Sequence, residues 1–200
     1  MWTITEGNQM QGKCGRDVRG RLRRLYDRSL VLRFQIGDDA AFEEIVAMMH
    51  ARLRHFVVSA FHIQPADADD LLQDVWLKAC GHLRRLREPA SLRSWLYSVT
   101  RNMALKHLRR RKPVTSFDAS QVPARQAREA QVEHFADLRA AIATLSPEHR
   151  EVVVMRFEEG LSYEDIAGAL GCPVGTVRSR LHCVKNILHG KLGRSIDDKS

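Results

Sequence analysis

Aromatic residues are few: Phe, Trp and Tyr make up 6% of the 200-residue chain. A core must therefore rest on Leu, Val, Ile and Ala. Cysteine is scarce too. The four present (Cys14, Cys80, Cys172, Cys183) are scattered without a C-x-x-C pair, which argues against a disulfide framework and against zinc-site spacing. Cys172, His182 and Cys183 come nearest to a ligand set, but two are adjacent and no fourth ligand accompanies them. Reduced thiols in a cytoplasmic protein are the expectation. No apolar run approaches the ~20 residues that span a bilayer, and Met1 to Gly20 hold no apolar stretch of a secretory signal. Walker A, H-E-x-x-H and compact metal-binding carboxylate patterns are missing, so an enzyme acting on nucleic acid is disfavoured. Neither a metal nor a cofactor is expected, and no internal repeat is evident.

What is present is charge, and it is segregated. The chain carries 32 Lys and Arg against 24 Asp and Glu, a net +8 that favours an anionic partner. Residues 37–80 hold 3 basic and 8 acidic groups, whereas residues 81–112 hold 10 and 1. The pattern repeats further on: residues 145–165 hold 2 basic and 6 acidic groups, and residues 166–196 hold basic groups only. Two modules follow, each with one face suited to a protein and one suited to an anion. Residues 113–131, polar and carrying Pro113 and Pro123, read as a flexible linker. Residues 1–28 are Arg-rich with little apolar periodicity before Leu22, and read as a mobile basic arm. Met10 within that arm leaves the true start codon open. The expected organisation is all-α: the arm 1–28, a helical domain 29–112, the linker 113–131, a second helical domain 132–192 and a tail 193–200.

In the first module, Gly37-Asp38-Asp39 precede Phe42, Ile45, Val46, Met49, Leu53, Phe56 and Val57 at spacings of a helix that buries one face. Pro65 begins the next segment, with Asp67 placed as N-cap. There Ala68, Leu71, Leu72, Val75, Trp76 and Ala79 share a stripe, while Asp70, Gln73, Asp74 and Leu77 share the opposite one. A solvated face explains the acids. An exposed Leu77 among them points instead to a protein contact. A third helix is expected from Ser91 to Lys112, with Leu92, Trp95, Leu96, Val99 and Met103 as its core stripe. Its other face carries Arg101, Asn102, Lys106 and the run Arg109 to Lys112. Cations in a last turn complement the helix dipole, but four in succession fit phosphate neutralisation better.

In the second module, Val132, Phe135, Leu138, Ile142 and Leu145 continue a helical pattern. Ser146-Pro147 start a helix that runs to Glu159, closes at Gly160 and buries Val152, Val153, Met155 and Phe157. Ser162 then caps a short helix built on Ile166, Ala167 and Leu170. Gly171 turns the chain, and Val177, Leu181, Val184 and Leu188 bury the next helix. Two short helices about a glycine turn form a helix-turn-helix. Thr176, Arg178, Ser179, Arg180 and Cys183 lie off the buried stripe.

Four segments, in this order, resemble the extracytoplasmic-function (group 4) sigma factors of bacterial RNA polymerase. They are Gly37 to Glu44, Asp69 to Leu77, Ser94-Trp95-Leu96-Tyr97 with Arg101 to Leu105, and Leu161 to Ala167 with Val174 to Leu181. The resemblance spans about Leu30 to Leu192. It implies a non-enzymatic subunit that binds core polymerase, through the β′ clamp helices and the β flap, and directs initiation at promoter DNA. It implies polymerase contacts at Asp70, Gln73, Asp74 and Leu77. It implies −10 contacts at Arg87, Ser91, Arg101, Asn102, Lys106, Arg109 and Arg110, with a flipped base taken by the loop at 87–91. It implies −35 readout by Pro173, Gly175, Thr176, Arg178, Ser179 and Arg180. An anti-sigma factor as partner is a further implication, with no membrane insertion by the chain itself. Lys106 departs from the family, which commonly has an acid there. The alternative reading is a stand-alone helix-turn-helix regulator, which would leave the first module's two charged faces unexplained.

Overall fold

Helix starts and stops along the chain follow proline, glycine and small polar residues. The structure is a computed structural model that describes residues 7–87, 91–110 and 140–197, with the side chains of 7–17, 19 and 192–197 outside that description. Its helices are α1 (Gly7–Gln35), α2 (Asp39–Phe61), α3 (Pro65–Leu83), α4 (Leu92–Arg110), α5 (Pro147–Val153), α6 (Tyr163–Leu170) and α7 (Val174–Asp197). Among the described residues there is no strand. The expected linker at 113–131, the helical pattern over 132–139, and Arg111 and Lys112 lie outside the described residues. Residues 140–143 are helical.

The boundary expected at residue 28 falls inside α1, which runs unbroken from Gly7 to Gln35. Leu30, Val31 and Phe34 bury the last turns of that helix, and Asp27 and Arg23 tie the Arg-rich stretch to the rest of the fold. Gly37 takes φ +100 in the turn that follows, a conformation glycine adopts without Cβ strain. The start of α3 also corrects the sequence reading: the helix begins at Pro65, with Gln64 rather than Asp67 as N-cap. Proline fits the first helical position because its missing N–H has no intrahelical partner there.

Ile45, Met49, Leu53, Phe56 and Val57 of α2 form the centre of the first unit, between α1, α3 and α4. The few aromatics concentrate there. Phe34 stacks on Phe42, whose ring meets Trp76 edge-on, and Phe56 meets Tyr97 edge-on at 5.2 Å. Trp76 donates its ring N–H to His50 Nδ1 at 3.1 Å, which satisfies the one polar atom of a half-buried indole. Trp95, expected in the core stripe, is half-buried and stacks on His82.

The same apolar cluster continues into Val152, Val154, Met155, Leu161, Ile166 and Val177, so the two helical units share one core. A smaller cluster of Leu145, Val153 and Val184 holds α5 against α7. Helix α5 passes into a π-helical turn over Val154–Glu158, where Glu159 N–H bonds the Val154 carbonyl at 2.9 Å. That wider turn keeps Met155 inside but directs Phe157 outward, so Phe157 is exposed and not in the expected core. Helix α6 lies directly on α4. A Cβ added to Gly168 would stand 3.3 Å from Ser94 Cβ, closer than ordinary van der Waals contact.

Candidate nucleic-acid interface

Helix α3 buries Ala68, Leu71, Leu72, Val75 and Ala79, which leaves Asp70, Gln73, Asp74 and Leu77 on its exposed side. Leu77 is 75% exposed, an unusual position for a large apolar side chain. Asp69, next to the stripe, is taken by Arg54 of α2, whose Nε and Nη2 donate to its two oxygens at 2.6 and 3.2 Å. That guanidinium holds the Asp69 carboxyl below its usual range. A cleft of about 480 Å³ separates α3 from α4. Asp70, Asp74 and Leu77 line one wall; Met103, Lys106 and Arg110 line the other. The acidic stripe and part of the basic face thus border one groove.

Helix α4 is packed on two sides, because α6 covers what a lone amphipathic helix would leave open. Its buried residues are Leu92, Arg93, Leu96, Tyr97, Thr100 and Ala104. Asn102, Lys106, Arg109 and Arg110 are exposed, as is Arg87 ahead of the helix, while Ser91 is half-buried. Arg101 stands apart from this group. Its Nε donates to Glu151 Oε2 at 2.6 Å, and the Glu151 side chain is 2% exposed. Burial pushes the Glu151 carboxyl up, and Arg101 only partly offsets this.

The α6–α7 pair has the geometry of a helix-turn-helix. Ser162 Oγ accepts from Asp165 N–H at 3.0 Å, and Asp165 Oδ2 accepts from Ser162 N–H and O–H, a reciprocal cap. Gly171 takes φ 64 and so ends α6 in the left-handed region. Val177 and Val184 of α7 are buried, while Pro173, Gly175, Arg178 and Ser179 are exposed and Thr176 is half-buried. Arg180 is drawn aside: its Nη2 donates to Glu148 Oε2 at 2.6 Å.

Residue-by-residue reading did not anticipate how α5 connects these parts. Glu148 and Glu151 occupy Arg180 and Arg101, one expected DNA-reading arginine from each unit. Glu159 is buried and accepts from Tyr97 Oη at 2.8 Å and from Arg52 Nε at 3.0 Å. Burial and Glu159 push the Tyr97 phenol far above its ordinary value, so it stays protonated and donates to Glu159. The single hint in the sequence was Glu151 set before the apolar run Val152-Val153-Val154-Met155. Among the described residues no group of three or more His, Cys, Asp or Glu is placed to hold a metal ion, and no helix is long and apolar enough to cross a membrane.

Known proteins carry the same two parts. The model of sigma-70 region 2 matches residues 46–114, and that of sigma-70 region 4 matches residues 135–185. The RNA polymerase sigma-H factor of Pseudomonas aeruginosa is 34% identical over 172 residues, covering 78% of this chain and 88% of that protein. The ECF RNA polymerase sigma factor EcfG of Rhodopseudomonas palustris is 32% identical over 158 residues, covering 77% of this chain and 86% of that protein. The sigma factor RpoE of Bartonella quintana, solved in complex with the anti-sigma factor NepR, superposes with a TM-score of 0.62 at 26% identity, covering 76% of this chain and 96% of that one. A stand-alone regulator is not favoured, because a region 2 precedes the helix-turn-helix. The chain belongs to the extracytoplasmic-function sigma factors of the sigma-70 family, which direct RNA polymerase to specific promoters.

Proposed function

We propose that the two charged faces divide the work of initiation. Asp70, Gln73, Asp74 and Leu77 dock on core polymerase. Arg87, Ser91, Asn102, Lys106, Arg109 and Arg110, joined by Arg101, read and hold the melted −10 strand. Pro173, Gly175, Thr176, Arg178, Ser179 and Arg180 read the −35 duplex. Residues 29–112 and 132–192 act as the two working units, and the chain itself catalyses nothing; nucleotidyl transfer belongs to the polymerase. The observation that carries this reading is the groove between α3 and α4, where the acidic stripe and part of the basic face border one cleft. Single-stranded DNA that follows α4 would leave the groove beside the polymerase surface held by α3.

The ion pairs of Arg101 and Arg180 with α5 fit a resting form, in which carboxylates occupy cations that DNA later takes. An anti-sigma factor is the proposed restraint in the cytoplasm, by analogy with the partner of the Bartonella quintana protein. Purified core polymerase plus this chain should initiate from a genomic promoter library at start sites that share one −35 and one −10 sequence. Absence of any start site above core polymerase alone would overturn the proposal.

A further inference from the structure

Helix α1 has a second apolar face that the fold does not use. Val18, Leu22, Leu25 and Leu32 are all exposed, Leu22 and Leu25 at 61%, and Ile36 just past the helix end at 85%. With Ser29 between them they fall at alternating spacings of four and three, the a and d positions of a heptad. At ~100° per residue all six lie within an arc of about 80°, and the row from 18 to 36 is about 27 Å long. The opposite side of the same helix is the buried one, carrying Asp27, Leu30 and Phe34. A row this narrow is the seam of a coiled coil, not the broad apolar face of a helix that sinks into a bilayer.

Charge selects the occupant. Arg28, exposed, flanks the seam on one side at a g position, and Arg24 is half-buried beyond it. The nearby acid Asp27 is taken by Arg93 in the interior. On the other flank Arg33 is already paired with Asp38 and Glu44, and the Tyr26 hydroxyl donates to Glu44. In a parallel pair a second copy of this chain would set Arg28 beside an Arg33 whose carboxylates, Asp38 and Glu44, are already engaged, and in an antiparallel pair it would set Arg28 against its own counterpart. A helix with apolar a and d residues and Glu or Asp along one edge offers Arg28 an uncommitted carboxylate in either orientation. We propose that this face of α1 docks an acidic amphipathic helix of a partner protein, on a surface separate from the residues assigned above to polymerase and DNA.

The test uses the full chain and two synthetic helical peptides of about three heptads. Both have Leu at a and d; one has Glu at e and g, the other Lys. Fluorescence anisotropy should show binding of the Glu peptide, at least tenfold tighter than the Lys peptide and weakening as salt rises. The double variant Leu22→Ser, Leu25→Ser should lose at least tenfold in affinity with an unchanged thermal melt, since both side chains are exposed. Arg28→Glu is the second variant and should reverse the preference between the peptides. Equal binding of the two peptides, or seam variants that bind as the parent does, would overturn the proposal. So would a dimer in sedimentation that the double variant dissolves, or seam-dependent flotation with phosphatidylglycerol vesicles in place of peptide binding.

Discussion

Asp27 and Arg93 show what a single buried contact does for this fold. Arg93 Nε and Nη2 reach the two Asp27 oxygens at 2.6 and 2.9 Å, with side chains 7% and 2% exposed. The pair pins α1 to α4 beneath Met48 and Met49, whose sulfurs also accept from the guanidinium. Removing one partner leaves an unpaired buried charge, which costs about 3–5 kcal/mol, whereas removing both costs much less. Arg93→Leu should therefore lower the urea midpoint strongly, and adding Asp27→Asn to it should recover part of the loss. Equal midpoints for the single and double variants would refute the pairing. Reading one apolar stripe per helix could not find Arg93, because α4 is covered on two sides only in the folded chain. His62 carries a second effect at this scale. Burial and the neighbouring Arg150 hold its imidazole below its ordinary value, and Arg150 Nη1 contacts its Nε2. The folded state thus favours neutral His62. Its contribution to stability is present above the ordinary histidine range and is lost as pH falls through that range toward the lowered value, because the unfolded chain binds the proton first. His62→Gln should flatten this acid-side slope of the urea midpoint relative to the parent; an unchanged slope would place the titration elsewhere.

Helices differ in how plainly the sequence announces them. The α6–α7 pair was legible because its signals are local: the Ser162–Asp165 cap, Gly171 in the left-handed region, and buried Val177 and Val184 at helical spacing. The stripe on α3 was legible for the same reason, since one periodicity places Leu72 inside and Asp74 outside. The first turn of α3 reads three residues late from the sequence, because proline at the first position and a cap by Asp67 give similar patterns. The wide turn after α5 was not legible: it depends on Met155 being held in the shared core while Glu159 reaches Arg52 and Tyr97. A prediction follows for α3. Asp70 and Asp74 are exposed and their side chains face the groove, so Asp70→Lys with Asp74→Lys should leave the thermal melt nearly unchanged, as surface substitutions do within about 0.5 kcal/mol. Affinity for core polymerase should drop at least tenfold, measured by competition with a labelled parent chain. A variant that melts normally and competes as well as the parent would move the docking face off α3.

Charge segregation along the chain foretold two surfaces, but not that they would be closed on each other. In the folded molecule α5, part of the second unit, holds Arg101 of the first unit through Glu151 and Arg180 of its own unit through Glu148. These two contacts are unequal. The Arg180–Glu148 pair has Glu148 64% exposed, so its worth is roughly 0.2–1 kcal/mol and falls with salt. Glu151 is 2% exposed and its bond to Arg101 is 2.6 Å, in the range where a charged hydrogen bond contributes about 1.5–3 kcal/mol. The Arg101–Glu151 pair crosses between the units, whereas Arg180–Glu148 lies within the second, so Glu151 helps hold the units together and Glu148 does not. Glu151→Gln keeps the shape but removes the charge. It should favour an opened arrangement by about ten- to a hundredfold. Small-angle X-ray scattering should then report a larger radius of gyration. Affinity for single-stranded DNA should rise, with a steeper salt dependence as Arg101 becomes available to phosphate. Glu148→Gln should change neither measurement appreciably. If both variants scatter and bind DNA as the parent does, the shared apolar core and the Glu159 contacts hold the units closed, and a partner must pull them apart against those rather than against the Arg101–Glu151 pair.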